Sequence, residues 1–182
     1  MKKLLLILLC LPMIGFGQDI DKLDEKKGFK DFKLGDTYTK WQSQITHNKS
    51  LDNQYTKGYL YSGNCCQKVF NYPVEQIILR FKEDILVGIH ITTKKFQQEF
   101  AKSGRHTEWR ADDFESINNS FSRLFGEFTS YDTRNSEMSF IWEGEKVILF
   151  SNYDYLGIKN GDRQIIHVID MKYHNLLSND GF

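Results

Sequence analysis

The stretch "VEQIILRFKEDILVGIHITT", Val74 to Thr93, decides the fold. Two runs rich in Ile and Val, "VEQIILRF" and "ILVGIHITT", flank the polar "KED", and their alternation predicts a hairpin of half-buried antiparallel strands. Upstream, "QYTKGYLY" and "CQKVF" have the same strand-type composition. Before them, in "GFKDFKLGDTYTKWQSQI", Phe29, Phe32 and Leu34 are apolar anchors and Gly35 permits a tight turn. Asp36 or Thr37 then caps a short helix over about residues 37–46 that carries Trp41 and Ile45 at i and i+4.

Downstream, "ADDFESINNSFSRLFGEF" places Phe114, Ile117, Phe121, Leu124 and Phe125 on one helical stripe, with Asp112 or Asp113 as N-cap and Gly126 as the stop. Four more strand-type runs follow: "FTSYD", "MSFIW", "KVILFSNY" and "RQIIHVIDMKY". The hairpin "SFIWEGEKVILFS" can be laid on "IILRFKEDILVGI". The expected fold is therefore α+β, with antiparallel sheet and helices packed on one face. It forms one domain over 28–182, in two tandem helix–sheet halves of about 28–95 and 110–175. The charged "QDIDKLDEKK", residues 18–27, lacks apolar periodicity and is expected to be a loose arm.

The N-terminus carries an address. Lys2 and Lys3 precede the apolar run "LLLILLCLPMI", and Gly15 and Gly17 supply the small residues of a signal-peptidase site, which predicts a cleaved leader over residues 1–17. The run falls short of the ~20 residues that span a bilayer, so an exported protein, periplasmic or secreted, is expected rather than a membrane span. Leu9 precedes Cys10 where lipidation wants a small residue. Removing Lys2 and Lys3 leaves 22 basic against 24 acidic residues, which argues against a nucleic-acid partner. Two prolines and 14% aromatics argue against disorder.

These phrases carry a resemblance. "FKDFKLGDTYTKWQSQI", "LFGEF" and "IWEGEKVILF" resemble the tandem helix-and-sheet fold of the beta-lactamase inhibitory protein group. A small lipoprotein of the outer-membrane barrel-assembly machinery belongs to the same group. The leader ending "GFGQ" is similar to those of exported Bacteroidetes proteins. The resemblance covers about residues 28–173 and implies a fold and a tendency to bind proteins; it brings no catalytic residue to this chain.

Cys65 and Cys66 in "YSGNCCQKVF" are the only cysteines beyond the leader. They can be bonded to each other, bonded between chains, or free, with one side chain on each face of a strand. Consecutive Cα atoms lie about 3.8 Å apart, closer than the roughly 4.4–6.8 Å of an ordinary disulfide, so a vicinal bond would be strained and open to redox or ligand-sensing roles. Two adjacent thiols lack the second pair that a structural zinc site uses, so no metal and no cofactor is expected.

His90 and His167 fall inside strands, with Asp170 near the latter; His47, His106 and His174 sit in loops or chain ends. No HExxH, GxSxG, GxxxxGK[ST] or GxGxxG motif occurs. Aromatic side chains are the more promising surface, and Tyr59, Tyr61, Trp109, Trp142 and Tyr153 are candidate binding residues, extended by Tyr55, Tyr131 and Tyr155. Core filling competes with contact for Trp142, while Trp109 stands in the long polar connection between the halves. Three classes of function follow. The first is a non-enzymatic module that binds another protein, as an inhibitor or immunity protein does. The second is a structural accessory of the cell envelope. The third is a small hydrolase or redox protein using His90, His167 or the cysteines.

Overall fold

The computed structural model describes residues 19–95, 112–132, 138–155 and 162–178. The leader and Trp109 lie outside the described residues. The fold is α+β and is dominated by one large antiparallel sheet.

In chain order the elements are α1 (Asp21–Lys26), β1 (Gly28–Phe29), β2 (Phe32–Lys33), α2 (Tyr38–Trp41), β3 (Ile45–His47), β4 (Lys57–Tyr61) and β5 (Lys68–Val69). The long hairpin β6 (Tyr72–Lys82) and β7 (Ile85–Thr93) follows. Then come α3 (Asp112–Phe125), β8 (Ser130–Asp132), β9 (Met138–Glu143), β10 (Val147–Tyr155), β11 (Asp162–Asp170) and α4 (Met171–Ser178). The sheet order is β3-β4-β6-β7-β11-β10-β9-β8, with β5 against the start of β6 and β1–β2 as a separate ribbon. The seam is the antiparallel β7–β11 pair, in which His90 stands opposite His167.

The β6–β7 hairpin forms where the sequence predicts it. Its turn residues Glu83 and Asp84 both take positive φ, 49° and 66°, the left-handed conformation that suits the twist of a two-residue turn. A register shift pairs Arg80 with Gly88 but Phe81 with Leu86. The extra residue resets the alternation, so Leu86 and Ile89 face the same core while Val87 faces the other way.

The larger core joins Leu79, Phe81, Ile89, Leu149, Ile166 and Val168 of the sheet to Leu23 of α1, Trp41 of α2, and Ile117, Phe121 and Phe125 of α3. Ile148 and Ile169 have the opposite parity on their strands. With Val87 they form a smaller core on the other face, against which Met171 and Tyr173 of α4 pack.

Several expectations need correction. Residues 19–27, the described part of the segment expected as a loose arm over 18–27, are docked: Leu23 is fully buried, and the Asp24 carboxylate accepts from the N–H groups of Glu145 (2.7 Å), Lys146 (2.9 Å) and Val147 (2.9 Å). A Cβ on Gly144 would come within 2.5 Å of Asp24 Oδ1, so glycine is what lets the carboxylate approach this turn.

The first helix of the 37–46 region ends at Trp41. A 3₁₀ turn over Gln42–Gln44 follows, and Ile45 then pairs with Tyr61 as an edge strand, where its β-branched side chain is buried. Thr37 is the N-cap residue but makes no side-chain cap; Asp36 instead accepts from Lys33 N–H (3.0 Å) and Trp41 Nε1 (3.1 Å).

Leu124 lies off the buried stripe of α3, and "MKY" begins α4 rather than ending a strand. The α3 stop is as expected: Gly126 has φ +80° and its N–H bonds to Ser122 O at 2.9 Å.

Candidate functional site

Leu124, Phe128, Tyr131 and Met138 are exposed at one end of the sheet, where α3 stops and β8 is the last strand among the described residues. Alternation along β9 puts Met138 and Phe140 on the face that carries Trp142 and the larger core, and Tyr131 is the register partner of Phe140. Phe128 packs on Phe140 with centroids 4.8 Å apart, and Tyr131 on Phe140 at 5.0 Å. The large core thus continues outward to an open margin, from fully buried Trp142 through half-buried Phe140 to Tyr131, which is 46% exposed. Such a surface offers rigid, mostly apolar anchors at low entropic cost.

The candidate residues fall in different places. Trp142 is core: its indole Nε1 donates to Gly126 O at 2.9 Å and its ring packs on Phe121 at 5.5 Å. Tyr59 is half-buried among Tyr38, Phe81 and His47. Burial, and then the neighbouring Tyr38, Asp52 and Asp84, push its phenol upward in pKa. Tyr153 packs on Phe114 at 5.3 Å, and its hydroxyl donates to Asp162 at 2.6 Å. Tyr55, 39% exposed, stands in the loop before β4. Phe128 carries little signal in the sequence beyond its place two residues past the Gly126 helix stop.

No protein-family model matches the chain, and no curated protein or solved structure matches it either. Among the described residues, no helix is long and apolar enough to cross a membrane.

The cysteines are bonded to each other, with Cα atoms 3.8 Å apart. Cys66 is buried in the large core, Cys65 is half-buried, and the backbone at Cys66 is left-handed with φ 67°. Tyr61 sits beside them: its hydroxyl lies 3.0 Å from Cys65 Sγ and 3.1 Å from Gln44 Oε1, and it accepts from Cys65 N–H at 3.3 Å. One phenolic proton serves either Gln44 or the sulfur at any moment. A Cβ on Gly63 would lie 2.2 Å from the Tyr61 hydroxyl, so the "SGN" turn must carry glycine for this contact. Asp31, exposed in the β1–β2 turn, brings a carboxylate oxygen to within 4.8 Å of both sulfurs.

The seam brings His90 and His167 together, with Nδ1 atoms 2.8 Å apart and rings nearly perpendicular at 87°. Burial first, and then the Arg80 charge, lower His167 to about 4. Burial, His167 and Arg80 hold His90 well below its ordinary value. Two neutral imidazoles can share one hydrogen bond here, one donating and one accepting.

Asp170 is three residues from His167, so strand alternation turns it to the opposite face; its carboxylate accepts from Lys172 N–H at 2.9 Å. Ser151 also faces away from His167. It lies in a buried polar cluster with Asn118, at 2.5 Å, and Gln164. These histidines therefore do not assemble with Asp170 or Ser151 into a nucleophile, base and carboxylate set.

Proposed function

We propose that the protein is an exported, non-enzymatic protein-binding module, acting as an inhibitor or immunity protein does, with the β8 margin as its contact surface. One observation carries the reading. Among the described residues, the exposed large apolar side chains concentrate at this margin as Leu124, Phe128, Tyr131 and Met138, leaving only Tyr55 elsewhere. An apolar sheet margin is a liability in water unless a partner covers it, and aromatic rings are the usual centres of binding energy. The partner is expected to present an apolar surface, and no nucleic acid or cofactor is part of this reading.

The reading includes a tandem architecture. Strands of residues 45–93 occupy one block of the sheet and strands of residues 130–170 the other, which supports two helix-and-sheet halves meeting at the β7–β11 seam. The leader sequence supports export.

The test is capture from envelope extract by the chain starting at Gln18, identification of the captured protein by mass spectrometry, and calorimetry with that protein purified. Phe128→Ser combined with Tyr131→Ser is expected to weaken binding by roughly 30-fold or more, the scale of a lost hot spot. Equal affinity of the variant and the parent chain would overturn the assignment of this surface.

A further inference from the structure

We propose that Cys65, Cys66 and Asp31 form a redox-gated site for a thiophilic divalent cation. The sequence offers two adjacent thiols and no further ligand at zinc spacing. The fold supplies a third ligand from 34 positions upstream, because the β1–β2 turn carries Asp31 to within 4.8 Å of both sulfurs. Carboxylate and thiolate are both ligands of zinc, and a site with three protein ligands leaves one position for water.

The Tyr61 hydroxyl, 3.0 Å from Cys65 Sγ, can donate to a thiolate there, and Cys65 and Asp31 reach solvent while buried Cys66 anchors the pair to the core. The oxidised pair closes the site, since a neutral disulfide sulfur is a weak donor and lacks the charge with which a thiolate binds the cation.

Opening it takes a dithiol reductant. Two electrons and two protons pass to the pair, the Cys65–Cys66 bond breaks to two thiols, and the reductant becomes its own disulfide. The cation then displaces the two thiol protons to solvent. It forms one bond to each sulfur and one to a carboxylate oxygen of Asp31.

Zn²⁺ alone is the first probe, followed by Cd²⁺ for its thiolate-to-metal charge-transfer absorption. After reduction and removal of the reductant under anaerobic conditions, calorimetry is expected to show one Zn²⁺ per chain. The oxidised chain is expected to bind none. Asp31→Asn changes an exposed turn residue and is expected to weaken binding roughly tenfold while keeping the charge-transfer band; Cys65→Ser is expected to lose the band. Circular dichroism of each reduced sample checks that it is folded, and Asp31→Asn remains informative should Cys65→Ser unfold. Failure of the reduced parent chain to bind Zn²⁺, or equal affinity in Asp31→Asn, would overturn the three-ligand site. Neither result bears on the β8 margin, which lies at the other end of the sheet.

Discussion

The β7–β11 seam and the β8 margin belong to one sheet and to one alternating pattern of side chains, yet they are built for opposite environments. At the seam the sheet is covered on both faces, so even the polar pair His90 and His167 is buried and held neutral. At the margin the same pattern runs past the end of α3, and Phe128 and Tyr131 meet water. What a side chain does here is decided by what covers its strand. Buried histidines, the residues most suggestive of catalysis in the sequence, serve the core, while plain phenylalanine and tyrosine form the accessible surface.

Four predictions press on that contrast, and all can be read from urea denaturation. The covered side should be the more sensitive. Trp142→Ala removes a fully buried ring and its bond to Gly126 O, and is expected to cost about 3–5 kcal/mol. A loss well under 1 kcal/mol would mean that β9 is already open to water.

Acid comes next. Well above pH 6.5, from about pH 7.5 upward, both histidines are neutral, folded or unfolded, and add no pH dependence. As pH falls from 6.5 towards 4 the unfolded chain binds protons that the folded chain refuses, so stability declines, by up to ~3 kcal/mol for His167 alone. Denaturation between pH 7 and 5, above the range where ordinary carboxylates titrate, isolates this slope. A flat profile there would remove the seam from the comparison, and His167→Leu is expected to reduce the slope.

Asp24→Ala tests a contact at the periphery. It leaves three backbone N–H groups to water and is expected to cost about 1–2 kcal/mol. No change in the denaturation midpoint would mean that water replaces the carboxylate fully. Phe128→Ser with Tyr131→Ser should be mildest, within roughly 1 kcal/mol for the pair, since exposed positions move stability little. A large loss would make the margin structural rather than a contact surface.

Strong local patterns were legible in the sequence. The run 85–93 matches β7 end to end, although β7 is covered on both faces rather than half-buried as its alternation suggested, and α3 ends where Gly126 stops it, because β-type composition, helical periodicity and a left-handed stop are all short-range signals. The α1 helix was hidden because its docking rests on one leucine and one carboxylate, which leave no period to read. Strand β5 shrank to two residues and α4 began at Met171, since neither boundary carries a glycine or proline signal. The cysteine pair was visible and its bond was one of three open choices; Asp31 beside it was not visible, because only the pairing of β1 with β2 brings it there. The meeting of His90 and His167 likewise depends on β7 choosing β11 as its neighbour.

The Asp24 clasp also has a kinetic side. The carboxylate and the N–H groups that it holds are 121 to 123 positions apart, so nearly the whole chain must be made before this contact can close. Contacts that join distant parts of a chain are slow to form, because loop closure must come first. On this argument α1 is among the last elements to consolidate, after the β6–β7 hairpin, whose partners are adjacent in the chain. Pulsed hydrogen exchange during refolding would show it as late protection at Glu145, Lys146 and Val147, and simultaneous protection with β7 would refute it. The N-terminal segment would then act as a latch that fastens only onto a sheet already built.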